Sequence, residues 1–117
     1  MHKKFLIINK NKLICTVHVP KNMKIFPLEG RLLCYSTPNT IHIGNDVHIL
    51  DDYGRFMTHS FQPTCKIDGF NVIAMKNIIP GDILTYNFNK TELHMSNPFV
   101  QDGIIVCGQN NHLHDKS

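Results

Sequence analysis

At 117 residues the chain has room for one small domain, and its 42% hydrophobic and 18% charged residues exclude a disordered or low-complexity segment. The net charge of +3 comes from a lysine-rich first third. Lys3, Lys4, Lys10, Lys12, Lys21 and Lys24 all precede the first acid, Glu29, but they are spread out rather than clustered, so nucleic acid is not an expected partner.

Along the chain, short apolar runs alternate with turn signals. Residues 5–8 (Phe-Leu-Ile-Ile) are followed by Asn9-Lys10-Asn11-Lys12, a turn. Residues 13–19 are rich in β-branched side chains and read as a strand. Pro20-Lys21-Asn22 turns the chain, and residues 23–26 alternate with the period of a half-buried strand limited by Pro27. Residues 31–35 form a further strand. Residues 40–44 and 47–50 flank Asn45-Asp46 and read as a hairpin. Residues 65–67 and 71–75 flank Asp68-Gly69, the strongest hairpin signal in the chain. Pro80-Gly81-Asp82 is a tight turn into a strand at 83–88. Residues 89–92 are polar, with room for one helical turn, and residues 104–107 form a last short strand. No stretch keeps a 3.6-residue period over 12 residues, so the fold is mostly β with little helix.

No run approaches the ~20 apolar residues of a membrane span, and the apolar start at Phe5 is too short for a leader. Cys15, Cys34, Cys65 and Cys107 include no Cys-x-x-Cys pair. The expectation is a cytoplasmic protein with reduced thiols, no membrane partner and no metal. Of the eight histidines only His112 and His114 are close together, in the polar tail at 109–117.

Two stretches carry site chemistry. One is Arg55-Phe56-Met57-Thr58-His59-Ser60, leading through Pro63 to Cys65. The other is Gly81-Asp82-Ile83-Leu84-Thr85-Tyr86-Asn87-Phe88. Their order and spacing resemble the SET domain, in which an Asn-His-Ser-x-x-Pro loop precedes a hairpin and then a Gly-Glu-Glu-Leu-type strand ending aromatic-Asp-Tyr. Val19-Pro20-Lys21-Asn22 resembles the family's Ile-Pro-Lys-Gly turn. The stretch from Asn89 through Pro98-Phe99 to Cys107-Gly108 resembles the end of small stand-alone SET proteins. The resemblance spans roughly residues 10–108, which implies a single SET-like domain at 1–108 followed by the tail.

The resemblance implies a β-clip of several small twisted sheets with a knot-like C-terminal crossing. It implies S-adenosylmethionine as methyl donor and a protein lysine as acceptor. By this likeness Arg55, Phe56, Thr58, His59, Ser60 and Lys12 fall on cofactor-binding positions, and Tyr86 and Phe88 on the catalytic aromatic positions. Three places depart from the pattern. Thr58 replaces an asparagine, which has more hydrogen-bonding sites. Phe88 keeps the ring of the catalytic tyrosine without its hydroxyl. Lys10-Asn11-Lys12 replaces a Gly-x-Gly whose bare backbone approaches the cofactor. The family's zinc-binding tail is reduced to Cys107-Gly108, so no zinc is expected. Three functions follow from the resemblance. One is a protein-lysine methyltransferase. Another is a degenerate SET fold, a pseudoenzyme that binds a partner or forms a homodimer. The third is a changed chemistry in the same pocket on a small molecule.

Overall fold

The computed structural model describes residues 3–92, 95 and 97–109. The protein is mostly β, as its turn-punctuated sequence predicts, and it is built from several small sheets with one single-turn helix. His112 and His114 lie outside the described residues.

Four hairpins give the chain its local order. Strands β1 (Leu6–Asn9) and β2 (Lys12–Cys15) are joined by Lys10 and Asn11, both at positive φ (55° and 63°). That is the paired left-handed geometry of a two-residue hairpin turn. Asn45 and Asp46 (52° and 57°) join β5 (Ile41–Gly44) to β6 (Val47–Asp51) in the same way. Between β8 (Cys65–Asp68) and β9 (Asn71–Ala74) the two loop residues are Gly69 and Phe70, and only Gly69 takes positive φ. The fourth hairpin joins β11 (Phe99–Gln101) to β12 (Ile104–Val106) through Asp102-Gly103.

Longer connections build the three-stranded sheets. Strand β3 (Lys24–Pro27) pairs antiparallel with β9, giving the order β3-β9-β8. Strand β4 (Gly30–Leu33) pairs with β6, giving β4-β6-β5. Leu13, Cys15, Phe26, Ile41, Ile49, Cys65, Val72, Ala74, Ile78 and Leu84 pack between the sheets and are fully buried. Each large apolar side chain buried there stabilises the fold by ~1.5–3 kcal/mol.

The structure corrects two sequence expectations. The strand read at 13–19 ends at Cys15; Thr16 still donates to the Phe5 carbonyl just beyond β1, and Val19 leaves that partner to make one bridge to Ile78. The strand read at 83–88 is only β10 (Thr85–Tyr86). Asn87 caps the helical turn α1 (Phe88–Thr91), its side-chain oxygen accepting from Asn89 N–H at 3.0 Å, so Phe88 opens a helix instead of ending a strand.

No helix is long and apolar enough to cross a membrane among the described residues. Among them, no group of three or more His, Cys, Asp or Glu side chains is arranged to hold a metal ion.

Candidate functional site

The two stretches singled out by sequence meet side by side. Strand β7 (Thr58–His59) pairs parallel with β10, placing Thr58 opposite Thr85 and His59 opposite Tyr86. The Ser60 amide donates to the Tyr86 carbonyl at 3.1 Å. Thr64 ties the end of the loop to the same strand, its amide donating to Thr85 Oγ1 (3.0 Å) and its hydroxyl to the Ile83 carbonyl (3.1 Å). Strand β2 supports β10 from the other side, with Leu84 N–H donating to the Leu13 carbonyl.

His59 sits where these elements converge. It is 8% exposed. Its Nδ1 accepts from the Phe88 amide at 3.0 Å, which assigns the ring proton of neutral His59 to Nε2. Nε2 is buried and has no partner among the described residues. Burial lowers the His59 pKa, against a smaller opposing influence from Asp102, so the neutral form is favoured. The ring makes edge contacts with Phe61 (4.4 Å between centroids), Phe88 (5.2 Å) and Phe99 (5.9 Å).

Beside this ring cluster lies a cleft of about 120 Å³. One wall is the loop at 36–41. Opposite it stand Arg55, Met57, Tyr86, Phe88, Glu92 and Phe99. Phe99 reaches the site because Asn89 clamps the last strand: its Oδ1 accepts from the Cys107 and Gly108 amides, and its Nδ2 donates to the Ile105 carbonyl. Asp51 holds the Arg55 side. Its carboxylate is fully buried and accepts from the Glu29, Tyr53 and Gly54 amides, shaping the 3-10 turn at Gly54–Phe56.

Of the residues singled out by sequence, Arg55, Tyr86 and Phe88 line the cleft. Thr58, His59 and Ser60 lie on the adjoining strand and loop. Ser60 Oγ accepts from the Gln62 amide, an internal loop contact. Phe56 packs against the core, with the Arg55 guanidinium 5.4 Å from its ring centroid. Lys12 is exposed on β2 and does not line the cleft. Tyr53, the other phenol near Arg55, faces Lys3 on a different side.

Sequence reasoning missed Glu92. It is 3% exposed, and its Oε2 accepts from the Tyr86 hydroxyl (3.3 Å) and the His42 amide (3.0 Å). Burial raises its pKa, with the His42 amide and His48 pulling the other way. The Tyr86 phenol, buried and beside this acid, is held well above its ordinary value. His42 donates from Nδ1 to the Thr91 carbonyl (2.9 Å), and its ring lies 5.1 Å from that of His48. The 50-residue separation of His42 and Glu92 left no local signal of this contact.

No family model matches the chain, and no curated protein matches it.

Proposed function

We propose that this protein is a SET-like domain that transfers a methyl group from S-adenosylmethionine to a lysine side chain of a protein. The observation that carries this reading is the parallel pairing of Thr58-His59 with Thr85-Tyr86 beside an aromatic cleft. It brings the two resembling stretches into one site. The cofactor fits one feature of the chain in particular. Among the described residues the Nε2–H of His59 is a buried donor without an acceptor, beside the Phe61 ring and the Thr58 and Ser60 segment, and a polar cofactor group would satisfy it. Thr58, His59 and Ser60 are the residues that would hold it, with Arg55 alongside. When bound, the cofactor would supply an electrophilic methyl group to a neutral amine.

The chain's own residues then have definite tasks. Tyr86, Phe88 and Phe99 present rings to the cleft, which suits a developing ammonium by its attraction to π faces. Phe88 has no hydroxyl, so Tyr86 is the phenol that lines the cleft. Glu92 takes the Tyr86 proton in a hydrogen bond and leaves the phenol oxygen free to accept from an amine.

A second reading, a degenerate SET fold that binds without methylating, is favoured by Phe88 and by the turn at Lys10-Asn11. That turn keeps the left-handed backbone expected of glycines, yet carries two side chains. The two readings separate in one experiment. The full chain is incubated with S-adenosylmethionine and lysine-containing peptides, and mass spectrometry follows both peptide methylation and release of S-adenosylhomocysteine. Methylated lysine supports the first reading. Cofactor binding without turnover of any peptide selects the second.

A further inference from the structure

Beyond accepting the Tyr86 hydroxyl proton in a hydrogen bond, Glu92 is a buried acid that lines an aromatic cleft. Its surroundings are specific. The rings of Tyr86 and Phe88 lie 4.6 Å apart, and those of Phe88 and Phe99 lie 6.2 Å apart at 85°. Met57 and Met95 add polarisable thioethers to the lining. At about 120 Å³ the cleft is well below the ~300–1,000 Å³ of drug-sized ligand sites, so its occupant is slim. Ring faces attract cations, and a carboxylate withdrawn from water attracts them more strongly than an exposed one. Arg55 lines the same cleft but is exposed. Its charge opposes a cation from the solvent side, so the attraction must come from the buried acid and the ring faces.

We propose that Glu92 is the counter-ion of a cation-binding cleft, and that the cleft takes a small alkylammonium group, charged, between the Tyr86, Phe88 and Phe99 rings. The proposal uses the same cleft as the methyl-transfer reading but needs no cofactor. A cation held by Glu92 is also the unreactive, protonated form of an amine, so the residue sets which charge state of an amine the cleft retains.

Binding is linked to protons. Burial raises the Glu92 pKa, and a bound cation favours its ionised form. Affinity for the cation therefore rises with pH through the Glu92 titration and levels off above it. The other titratable or charged groups around the acid are Tyr86 on β10, His42 on β5, His48 on β6 and Arg55 on the 3-10 turn.

The test is an NMR titration of the full chain, without S-adenosylmethionine, using n-butylammonium and neutral 1-butanol as probes. The wild-type protein is expected to bind the ammonium about tenfold more tightly than the alcohol, with shifts at Tyr86 and Phe99. Glu92→Gln keeps an oxygen to accept from Tyr86 and His42, and it should erase that preference and its pH dependence. If Glu92→Gln does not fold, Phe99→Leu serves, because Phe99 is 37% exposed on β11 and should tolerate the change. It should weaken the ammonium more than the alcohol. Equal wild-type affinity for the two probes would overturn the proposal, as would undiminished ammonium preference in the folded variant. Failure here leaves the cofactor reading intact, because S-adenosylmethionine binding is measured separately.

Discussion

Asp51→Asn tests how the site is held in shape. The Asp51 carboxylate is 1% exposed and accepts three backbone N–H groups, from Glu29 (2.7 Å), Tyr53 (2.8 Å) and Gly54 (2.6 Å). Asparagine offers one acceptor oxygen. If that oxygen serves Tyr53 and Gly54, its NH₂ group faces the Glu29 N–H, donor against donor. One charge-assisted bond is lost, at ~1.5–3 kcal/mol, and a buried donor is orphaned at ~1–3 kcal/mol. A total of about 2.5–6 kcal/mol is expected from these two effects. That is a large share of the roughly 6–18 kcal/mol typical of a chain this long. At roughly 4 °C per kcal/mol, the melting temperature should fall by about 10–24 °C in circular dichroism at pH 7. Asp52→Asn, at an exposed neighbour, is the control and should melt within about 2 °C of wild type. An Asp51→Asn melt within about 3 °C of wild type would show that this carboxylate does not organise the turn bearing Arg55.

Three further outcomes follow from the site and the core. Phe88→Tyr should restore a hydroxyl beside Tyr86 and raise methyl transfer by about tenfold or more, as expected of one positioned catalytic group; an unchanged rate would mean that Tyr86 already supplies that oxygen. Burial holds the His59 pKa down, so the unfolded chain binds the proton more readily, and stability should fall as pH drops below about 6.5. His59→Gln, which can still accept from the Phe88 amide, should flatten that acid limb in pH-dependent melts. Iodoacetamide at pH 8 should alkylate exposed Cys34 in the native protein and spare Cys65, whose thiol is fully buried and pushed up to about 11; peptide mapping shows which cysteine is modified.

The legible parts of the fold are those with local causes. Asn45-Asp46 and Asp68-Gly69 announced their hairpins because left-handed backbone has few residue types to choose from. The same signal at Asp102-Gly103 marks the last hairpin, whose first strand, Phe99–Gln101, is too short to carry a pattern of its own. Val17 and Val19 look like strand residues, yet after Thr16 the chain leaves β1, and Val19 bonds the distant Ile78, a contact without local signal. Phe88 has a strand-end neighbourhood in sequence, but the Asn87 cap turns the chain into a helix.

The site divides the same way. His59 and Tyr86 stood out by their residue types and spacing, and the pairing of β7 with β10 brings them together. Glu92 did not stand out, because a lone acid in a polar stretch reads as solvent-exposed. Its burial depends on β5, far away in sequence, which supplies the His42 amide. Phe99 joins the cleft on a strand pair that Asn89, far from it in sequence, helps to hold. Such contacts are tertiary and leave no periodic trace.

Calorimetric titration of the full chain with S-adenosylmethionine and with S-adenosylhomocysteine tests the methyl-transfer reading most directly. Binding tighter than about 100 μM is predicted, within the usual range for enzyme ligands, and His59→Ala should weaken it by leaving the cofactor without its Nε2–H donor. No heat of binding at millimolar cofactor, from protein that melts cooperatively, would contradict it.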